Sequence, residues 1–140
     1  MAWLGVRAGP ILVVDDNEDA AALLVEALQL FGCDVVCDAD PVSAIARARE
    51  VRPSIALLDI GLPVMDGYEL ARQLRAIDGL SETKFIALTG HSRDQDRARS
   101  AAAGFDAHLV KPVTMDELRR TLEQIASPRQ APGARPRTNL

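Results

Sequence analysis

Side chains that could do chemistry follow four apolar stretches of this sequence, at the points where those stretches end. Asp15 and Asp16 come after "ILVV", and Asp59, Thr89 and Lys111 close or follow three later runs. Clustered carboxylates repel one another and need a cation, and hard oxygen ligands of this kind suit Mg²⁺. A lysine ammonium adds a compact positive charge suited to phosphate. These residue types predict magnesium-dependent phosphoryl chemistry, provided that the fold brings them to one place.

The stretch "IALLDIGLP", residues 55–63, carries a single acid where its regularity stops. Its unbroken apolar run is typical of a strand buried on both faces, as in a parallel sheet covered by helices. Gly61 and Pro63 end this strand and turn the chain. A capping role for Asp59 fits poorly, because Pro63 and Gly67 delay any helix until about Asp66. Asp59 is therefore interpreted as a group kept for chemistry.

Apolar strand-like runs alternate with helical periodicity along the whole chain. The predicted strands are Ile11–Val14, a run centred on Val35–Val36, Ile55–Leu58, "KFIALTG" and "AHLV". Five β–α units with right-handed crossovers form a parallel sheet with helices on both faces. We predict an α/β fold, a flavodoxin-like doubly wound (βα)5 with strand order 2-1-3-4-5. The site of such a sheet lies at the carboxyl ends of the strands, where the candidate residues stand.

Cap and stop residues set the predicted helix ends. Gly32 stops the first helix, and Asp40 with Pro41 opens the second. The third helix runs from about Tyr68 to Ile77, and the fourth, "RDQDRARSAAAG", lacks large apolar residues and should pack lightly. A capping box at residues 114–117 starts the last helix. The residues predicted to face the core are Ala20, Leu23, Leu24, Ala27, Leu28 and Phe31 on the first helix, and Met115, Leu118, Leu122 and Ile125 on the last.

The bulk composition suits one globular domain. The chain has 140 residues, 48% of them hydrophobic, and a net charge of -4 that disfavours a nucleic-acid-binding surface. No apolar run approaches the ~18–20 residues that span a bilayer, and no signal peptide is recognisable, so a cytoplasmic location is expected. Cys33 and Cys37 lie ~13 Å apart along a predicted strand, too far for a disulfide.

The predicted division of the chain is an N-terminal extension (residues 1–9), a domain (10–126) and a flexible Pro/Arg-rich tail (127–140). Because few residues follow the domain, we expect no DNA-binding or catalytic output domain after it.

Four motifs, "ILVVDDNED", "LLDIGLPVMDG", "ALTG" and "LVKPV", occur in order, each at a predicted strand end. In this combination the sequence resembles the receiver domain of bacterial response regulators, the chemotaxis-regulator-like family, over roughly residues 10–126. The resemblance implies a signalling switch of a two-component system or phosphorelay, phosphorylated by a histidine kinase or a phosphotransfer domain. It also implies Mg²⁺ as cofactor, and no enzymatic activity beyond the domain's own phosphoryl transfer and dephosphorylation.

Carried over by position, the resemblance gives roles to the strand-end residues. Asp59 would be the phosphoacceptor, and Lys111 would pair first with its carboxylate and then with the phosphoryl group. Asp16 and Asp59 would bind the metal together with the backbone carbonyl of Gly61. Asp15 would act partly through water. An aspartate nucleophile can form a covalent acyl phosphate, so the chemistry agrees with these roles.

Two further positions concern switching. Thr89 resembles the family's switch hydroxyl. Receivers often carry Tyr or Phe three residues before the lysine, with a ring that swings inward on phosphorylation, and here that position is His108. An imidazole makes this coupling weaker and more polar. Thr89 and His108 lead toward the fourth helix, the fifth strand and the last helix, which form the predicted output surface.

The downstream partner is left open. A single-domain regulator, a relay shuttle and a receiver excised from a hybrid kinase remain alternatives. We expect no nucleic-acid or membrane partner, and a monomer or a weak phosphorylation-dependent dimer. We also expect a cis Lys111–Pro112 peptide bond, because Lys111 must leave a buried strand and point back toward Asp59 within a tight reversal.

Three other interpretations compete with this one. Asp15 and Asp16 could cap the first helix, since acids near a helix N-terminus are favourable. A phosphatase of the haloacid-dehalogenase type also uses Asp, Mg²⁺ and Lys, but it needs a second Asp two residues after the nucleophile, where this chain has Gly61. A flavodoxin-type cofactor binder would carry Ser, Thr and Gly after the first strand, whereas "DDNED" would repel a phosphate.

Overall fold

Five strands form a single sheet. The computed structural model of the protein describes residues 10–62, 65–90, 98 and 101–126. The strands are β1 (Ile11–Val14), β2 (Val35–Asp38), β3 (Ile55–Asp59), β4 (Lys84–Thr89) and β5 (Ala107–Val110). Their order is β2-β1-β3-β4-β5, and every neighbouring pair is parallel. The predicted doubly wound strand order is confirmed.

Four complete helices are described: α1 (Glu18–Leu30), α2 (Pro41–Val51), α3 (Gly67–Arg75) and the C-terminal helix (Met115–Ala126). Most of the predicted fourth helix lies outside the described residues, although residues 98, 101 and 102 are helical. Gly104 follows with a φ of 94°, the left-handed conformation in which helices commonly end. The predicted extension (1–9) and tail (127–140) also lie outside the described residues, so their boundaries stay predictions.

Side-chain caps begin these helices. Asn17 accepts a hydrogen bond from Ala20 N at 3.0 Å and caps α1, so neither Asp15 nor Asp16 has that role. Asp40 caps α2, with Pro41 at its first position as predicted. Asp66 caps α3. The predicted capping box is present, because Glu117 N donates to Thr114 Oγ1 at 3.1 Å and Thr114 N donates to Glu117 Oε1 at 3.3 Å.

The sheet is covered on both faces, and the alternation of side chains divides the core in two. One half packs the sheet against α2 and α3, and its strand residues are Leu12, Val14, Ala56, Leu58, Phe85 and Ala87. The other half packs the sheet against α1 and the C-terminal helix, and its strand residues are Ile11, Val13, Ile55, Leu57, Ile86, Leu88 and Leu109. By the same alternation, Asp15, Asp59 and Lys111 belong to the α1 side of the sheet, and Thr89 and His108 to the α2–α3 side.

Two residues predicted to face the core do not. Leu23 is 68% exposed and Met115 is 48% exposed, so these two assignments were wrong. On α1, Leu24 and Leu28 form the stripe that meets the sheet, because residues four apart share a helix face. Leu23 lies on the flank of that stripe, and Met115 is the first residue of its helix.

Three smaller predictions can be compared with the structure. The Lys111–Pro112 peptide bond is cis, as predicted. Cys33 and Cys37 are both free thiols. Within the described ranges, no helix has the length and apolar character needed to cross a membrane.

Candidate functional site

Three carboxylates meet at the carboxyl edge of the sheet. Asp15 and Asp16 follow β1, and Asp59 ends the neighbouring strand β3. One oxygen from each of the three lies within 4.8 Å of the others. Asp15 and Asp59 are buried, whereas Asp16 is exposed. The sheet therefore brings together the three acids that the sequence predicted at one site.

Backbone amides orient the two buried carboxylates in the same way. Asn17 N donates to Asp15 Oδ1 at 2.9 Å, and Gly61 N donates to Asp59 Oδ1 at 2.9 Å. Each contact is an Asx turn, in which a carboxylate accepts from the amide two residues later. These turns fix one oxygen of each acid and leave Oδ2 of both directed at the site.

Lys111 joins these two acids. Its Nζ lies 3.1 Å from Asp15 Oδ2 and 3.3 Å from Asp59 Oδ2. Its backbone N donates to Thr89 O at 2.7 Å, which ties the end of β5 to the end of β4. Burial alone would lower the pKa of the Lys111 ammonium, but the hydrogen bond to Asp15 and the charges of Asp59 and Asp15 together outweigh burial and raise that pKa. The ammonium therefore stays charged at neutral pH.

One lysine leaves the acidic cluster only partly compensated. Apart from the Lys111 ammonium, no hydrogen-bond donor reaches the buried Asp15 Oδ2 among the residues that the structure describes. Three carboxylates beside one ammonium also leave net negative charge. Carboxylate and carbonyl oxygens are the donors that Mg²⁺ takes in proteins. The donor set thus fits a hard divalent cation.

Thr89 ends the strand next to β3, and His108 lies on the following strand, β5. Thr89 is the last residue of β4 and is buried, and Asp59 is the register partner of Leu88, its predecessor. His108 is half-buried on β5, opposite Ala87. Both belong to the α2–α3 side of the sheet. The structure therefore brings Thr89 to the edge that carries the acids and places His108 further back along β5.

Sequence reasoning linked Gly67 only to the start of a helix, yet this residue lies against the backbone of Asp59. A Cβ at Gly67 would stand only 2.6 Å from the carbonyl oxygen of Asp59. The Asp-Gly pair in "MDG" could have signalled a close backbone approach, but it reads equally well as a helix start.

A second unpredicted feature is an apolar groove between α1 and the C-terminal helix. Its volume is about 500 Å³, and it reaches from Asp15 and Lys111 to Leu30. Leu23, Leu30 and Met115 line it and are all exposed. The site therefore opens directly beside an exposed apolar surface.

The chain matches a known protein family over most of its length. Residues 11–123 match the family described as "Response regulator receiver domain". The chain belongs to that family. Receiver domains are regulatory phosphoacceptor domains rather than classical enzymes, and their acidic site binds Mg²⁺.

Solved structures of other receivers have the same fold. A chemotaxis protein, CheY4, of Vibrio cholerae superposes with a TM-score of 0.80 at 28% identity, covering 85% of this chain and 99% of that one. The receiver domain of a Pseudomonas aeruginosa sensor histidine kinase gives 0.77 at 34% identity, covering 86% and 100%. That second structure has a magnesium ion coordinated in its active-site cleft.

Relatives found by sequence extend beyond the receiver. The transcriptional regulatory protein PrrA of Mycobacterium tuberculosis is 39% identical over 114 residues, which are 81% of this chain and 48% of PrrA. The chain thus spans about half the length of the curated relatives that it first matches.

Proposed function

We propose that this receiver is a phosphorylation-dependent switch of a two-component system or phosphorelay, with Asp59 as the phosphoacceptor. The observation that carries the proposal is the contact of Lys111 Nζ with Oδ2 of both Asp15 and Asp59, at 3.1 and 3.3 Å. A structural ion pair would need one acid. Two acids around one ammonium, with a third acid beside them, are suited to binding a cation and a phosphoryl group.

The phosphodonor would be a histidine kinase or a histidine phosphotransfer domain. Because Gly61 N holds Asp59 Oδ1, Oδ2, which faces Lys111, would be the oxygen that attacks phosphorus. As the O–P bond forms, the P–N bond to the donor histidine breaks, and its electron pair returns to the imidazole. The product is an acyl phosphate on Asp59. Lys111 would offset the charge on the phosphoryl oxygens, since phosphoryl transfer depends mainly on positioning and electrostatic stabilisation.

Mg²⁺ is the proposed cofactor. Asp16, Asp59 and the backbone carbonyl of Gly61 would hold it, and Asp15 would act partly through water. When bound, it would neutralise charge on the transferring phosphoryl group. The negative charge of the three carboxylates, which Lys111 offsets only in part, supports this assignment.

Thr89 and His108 are the proposed switch residues. They share the α2–α3 side of the sheet at its β4–β5 end, so a change at Thr89 could reach His108 without crossing the sheet. The proposed output surface comprises the fourth predicted helix, β5 and the C-terminal helix. The fourth helix lies mostly outside the described residues, and its part in this surface rests on sequence.

A protein phosphodonor must rest against the surface next to Asp59. The apolar groove fits this need because Asp15 and Lys111 line one end of it, while Leu23 and Leu30 extend it along α1. Contiguous exposed apolar surface of this kind marks protein-binding sites. We therefore assign the groove to the phosphodonor, on the opposite side of the sheet from Thr89 and His108.

Phosphorylation by acetyl phosphate tests the proposal without a protein partner. The intact mass of the wild type should increase by one phosphoryl group in Mg²⁺ and stay unchanged in EDTA. Asp59→Asn should gain no hydroxylamine-sensitive phosphoryl group under the same conditions. Equal labelling of wild type and Asp59→Asn would refute the assignment.

A further inference from the structure

Gly67, the first residue of α3, is buried against the backbone that carries Asp59. A Cβ built on Gly67 would lie 2.6 Å from the carbonyl oxygen of Asp59, 2.8 Å from Cα of Ile60 and 3.1 Å from the carbonyl carbon of Asp59. All three contacts are to backbone atoms, so no flexible side chain could move aside. Any other residue at position 67 would have to displace the peptide of Asp59 or the start of α3.

The same glycine closes the loop that leaves the site. Gly67 N donates to Ile60 O at 3.1 Å, so the chain returns to within one hydrogen bond of Asp59 after seven residues. The start of this loop also contains the turn in which Gly61 N donates to Asp59 Oδ1. A shift of α3 would therefore move the Asp59 carboxylate and the Gly61 carbonyl together.

We infer that Gly67 is a positioning residue of the phosphoacceptor site. Its lack of a side chain lets α3 approach Asp59 closely. This close packing sets the positions of the Asp59 carboxylate and the Gly61 carbonyl relative to the metal and the phosphoryl group. Catalytic geometry has to be held within about 0.5 Å, and a misplacement of about 1 Å can cost about 100-fold in rate. The inference rests on the proposed function of Asp59, but it makes a separate claim about α3.

Space, rather than backbone conformation, is what requires glycine here. The described glycines with positive φ are Gly32, Gly79 and Gly104, and Gly67 is not among them. Gly104 therefore offers a matched control. Alanine there is strained by the φ of 94°, but its Cβ would lie no closer than 3.8 Å to the nearest side chain, Arg75. Gly104→Ala should destabilise the protein without touching the acidic site.

The experiment compares Gly67→Ala and Gly104→Ala with the wild type, at a temperature where circular dichroism shows each to be folded. Isothermal titration with Mg²⁺ and the rate of labelling by acetyl phosphate are measured for all three. Gly67→Ala should lose about tenfold or more in both quantities. Gly104→Ala should keep the wild-type values while it melts at a lower temperature.

Wild-type Mg²⁺ affinity and labelling rate in folded Gly67→Ala would overturn the inference. Failure of the wild type to become labelled would refute the proposed function instead, and the Mg²⁺ titration would still report on Gly67. If Gly67→Ala does not fold, the backbone amide NMR resonances of the wild type test the inference instead. The Gly67 amide should shift on Mg²⁺ saturation while those of Gly32 and Gly104 stay in place, and an unmoved Gly67 amide would contradict the inference.

Discussion

At the scale of single residues, the acidic site stores electrostatic repulsion that a cation would relieve. Asp15, Asp16 and Asp59 present oxygens within 4.8 Å of one another, and Lys111 offsets only part of their charge. Like charges this close repel one another. The acids stay close together because they stand at the ends of adjacent strands, and the buried core on both faces of the sheet holds those strands in place.

Removal of one acid should therefore stabilise the metal-free protein. Asp16 is exposed, so Asp16→Asn removes a charge without disturbing the core. In EDTA the variant should melt a few degrees above the wild type. Mg²⁺ at 100 times its Kd should stabilise the wild type by about 2.7 kcal/mol and the variant much less. Thermal melts with and without Mg²⁺ check this, and equal stabilisation of both proteins would exclude Asp16 as a ligand.

The Lys111 ion pairs should give a defined alkaline pH dependence. The pKa of Lys111 is raised in the folded protein, so these pairs contribute their full stability below the unfolded pKa of about 10.4. That contribution is lost as the pH rises through the folded pKa. In metal-free urea titrations from neutral to alkaline pH, the wild type should lose its advantage over Lys111→Met only in the alkaline range.

Lys84, which is exposed on β4, provides the control for this titration. Lys84→Met should differ little from the wild type across the same pH range. A wild-type advantage over Lys111→Met that persisted unchanged at the alkaline end would show that the ammonium is not what stabilises the site.

At the scale of helices and strands, the alternation of side chains separates two tasks. Asp15, Asp59 and Lys111 belong to the α1 side of the sheet, beside the apolar groove. Thr89 and His108 belong to the α2–α3 side, at its β4–β5 end. The switch residues would thus lie on the opposite side of the sheet from the donor, while the C-terminal helix borders both the groove and the proposed output surface.

Beryllofluoride, which mimics a bound phosphoryl group, should test the division. Hydrogen exchange should change in β4, β5, the C-terminal helix and residues 91–104, because these segments carry Thr89 and His108 or belong to the proposed output surface. The effect should depend on Mg²⁺ and be lost in Asp59→Asn. Changes confined to α1 and α2 would contradict the proposed output surface.

The strands and helix ends could be predicted because they depend on local chemistry. The apolar runs, Asp40 with Pro41 and the Thr114–Glu117 box determine their elements within a few residues, and the strand ends placed Asp59 and Lys111 at one edge. The exposure of Leu23 and the close approach of Gly67 could not be predicted this way. Both depend on how two helices pack on the finished sheet, and helical periodicity does not specify that.

At the scale of the whole molecule, the chain is a receiver domain. It spans about half the length of the curated relatives that it first matches. We propose a monomer or a weak phosphorylation-dependent dimer. Sedimentation with and without beryllofluoride would distinguish these states, and a strong dimer in the absence of the phosphoryl mimic would contradict both.

The central claim is that Asp59 carries the phosphoryl group, and direct mapping of the modified residue tests it most sharply. Protein treated with acetyl phosphate and Mg²⁺ is reduced with borohydride, which converts an aspartyl phosphate to homoserine, and is then digested and sequenced by mass spectrometry. We predict homoserine at position 59, dependent on Mg²⁺ and absent when acetyl phosphate is omitted. Homoserine at position 15 or 16 instead, or at no position in protein shown to be folded, would contradict the account.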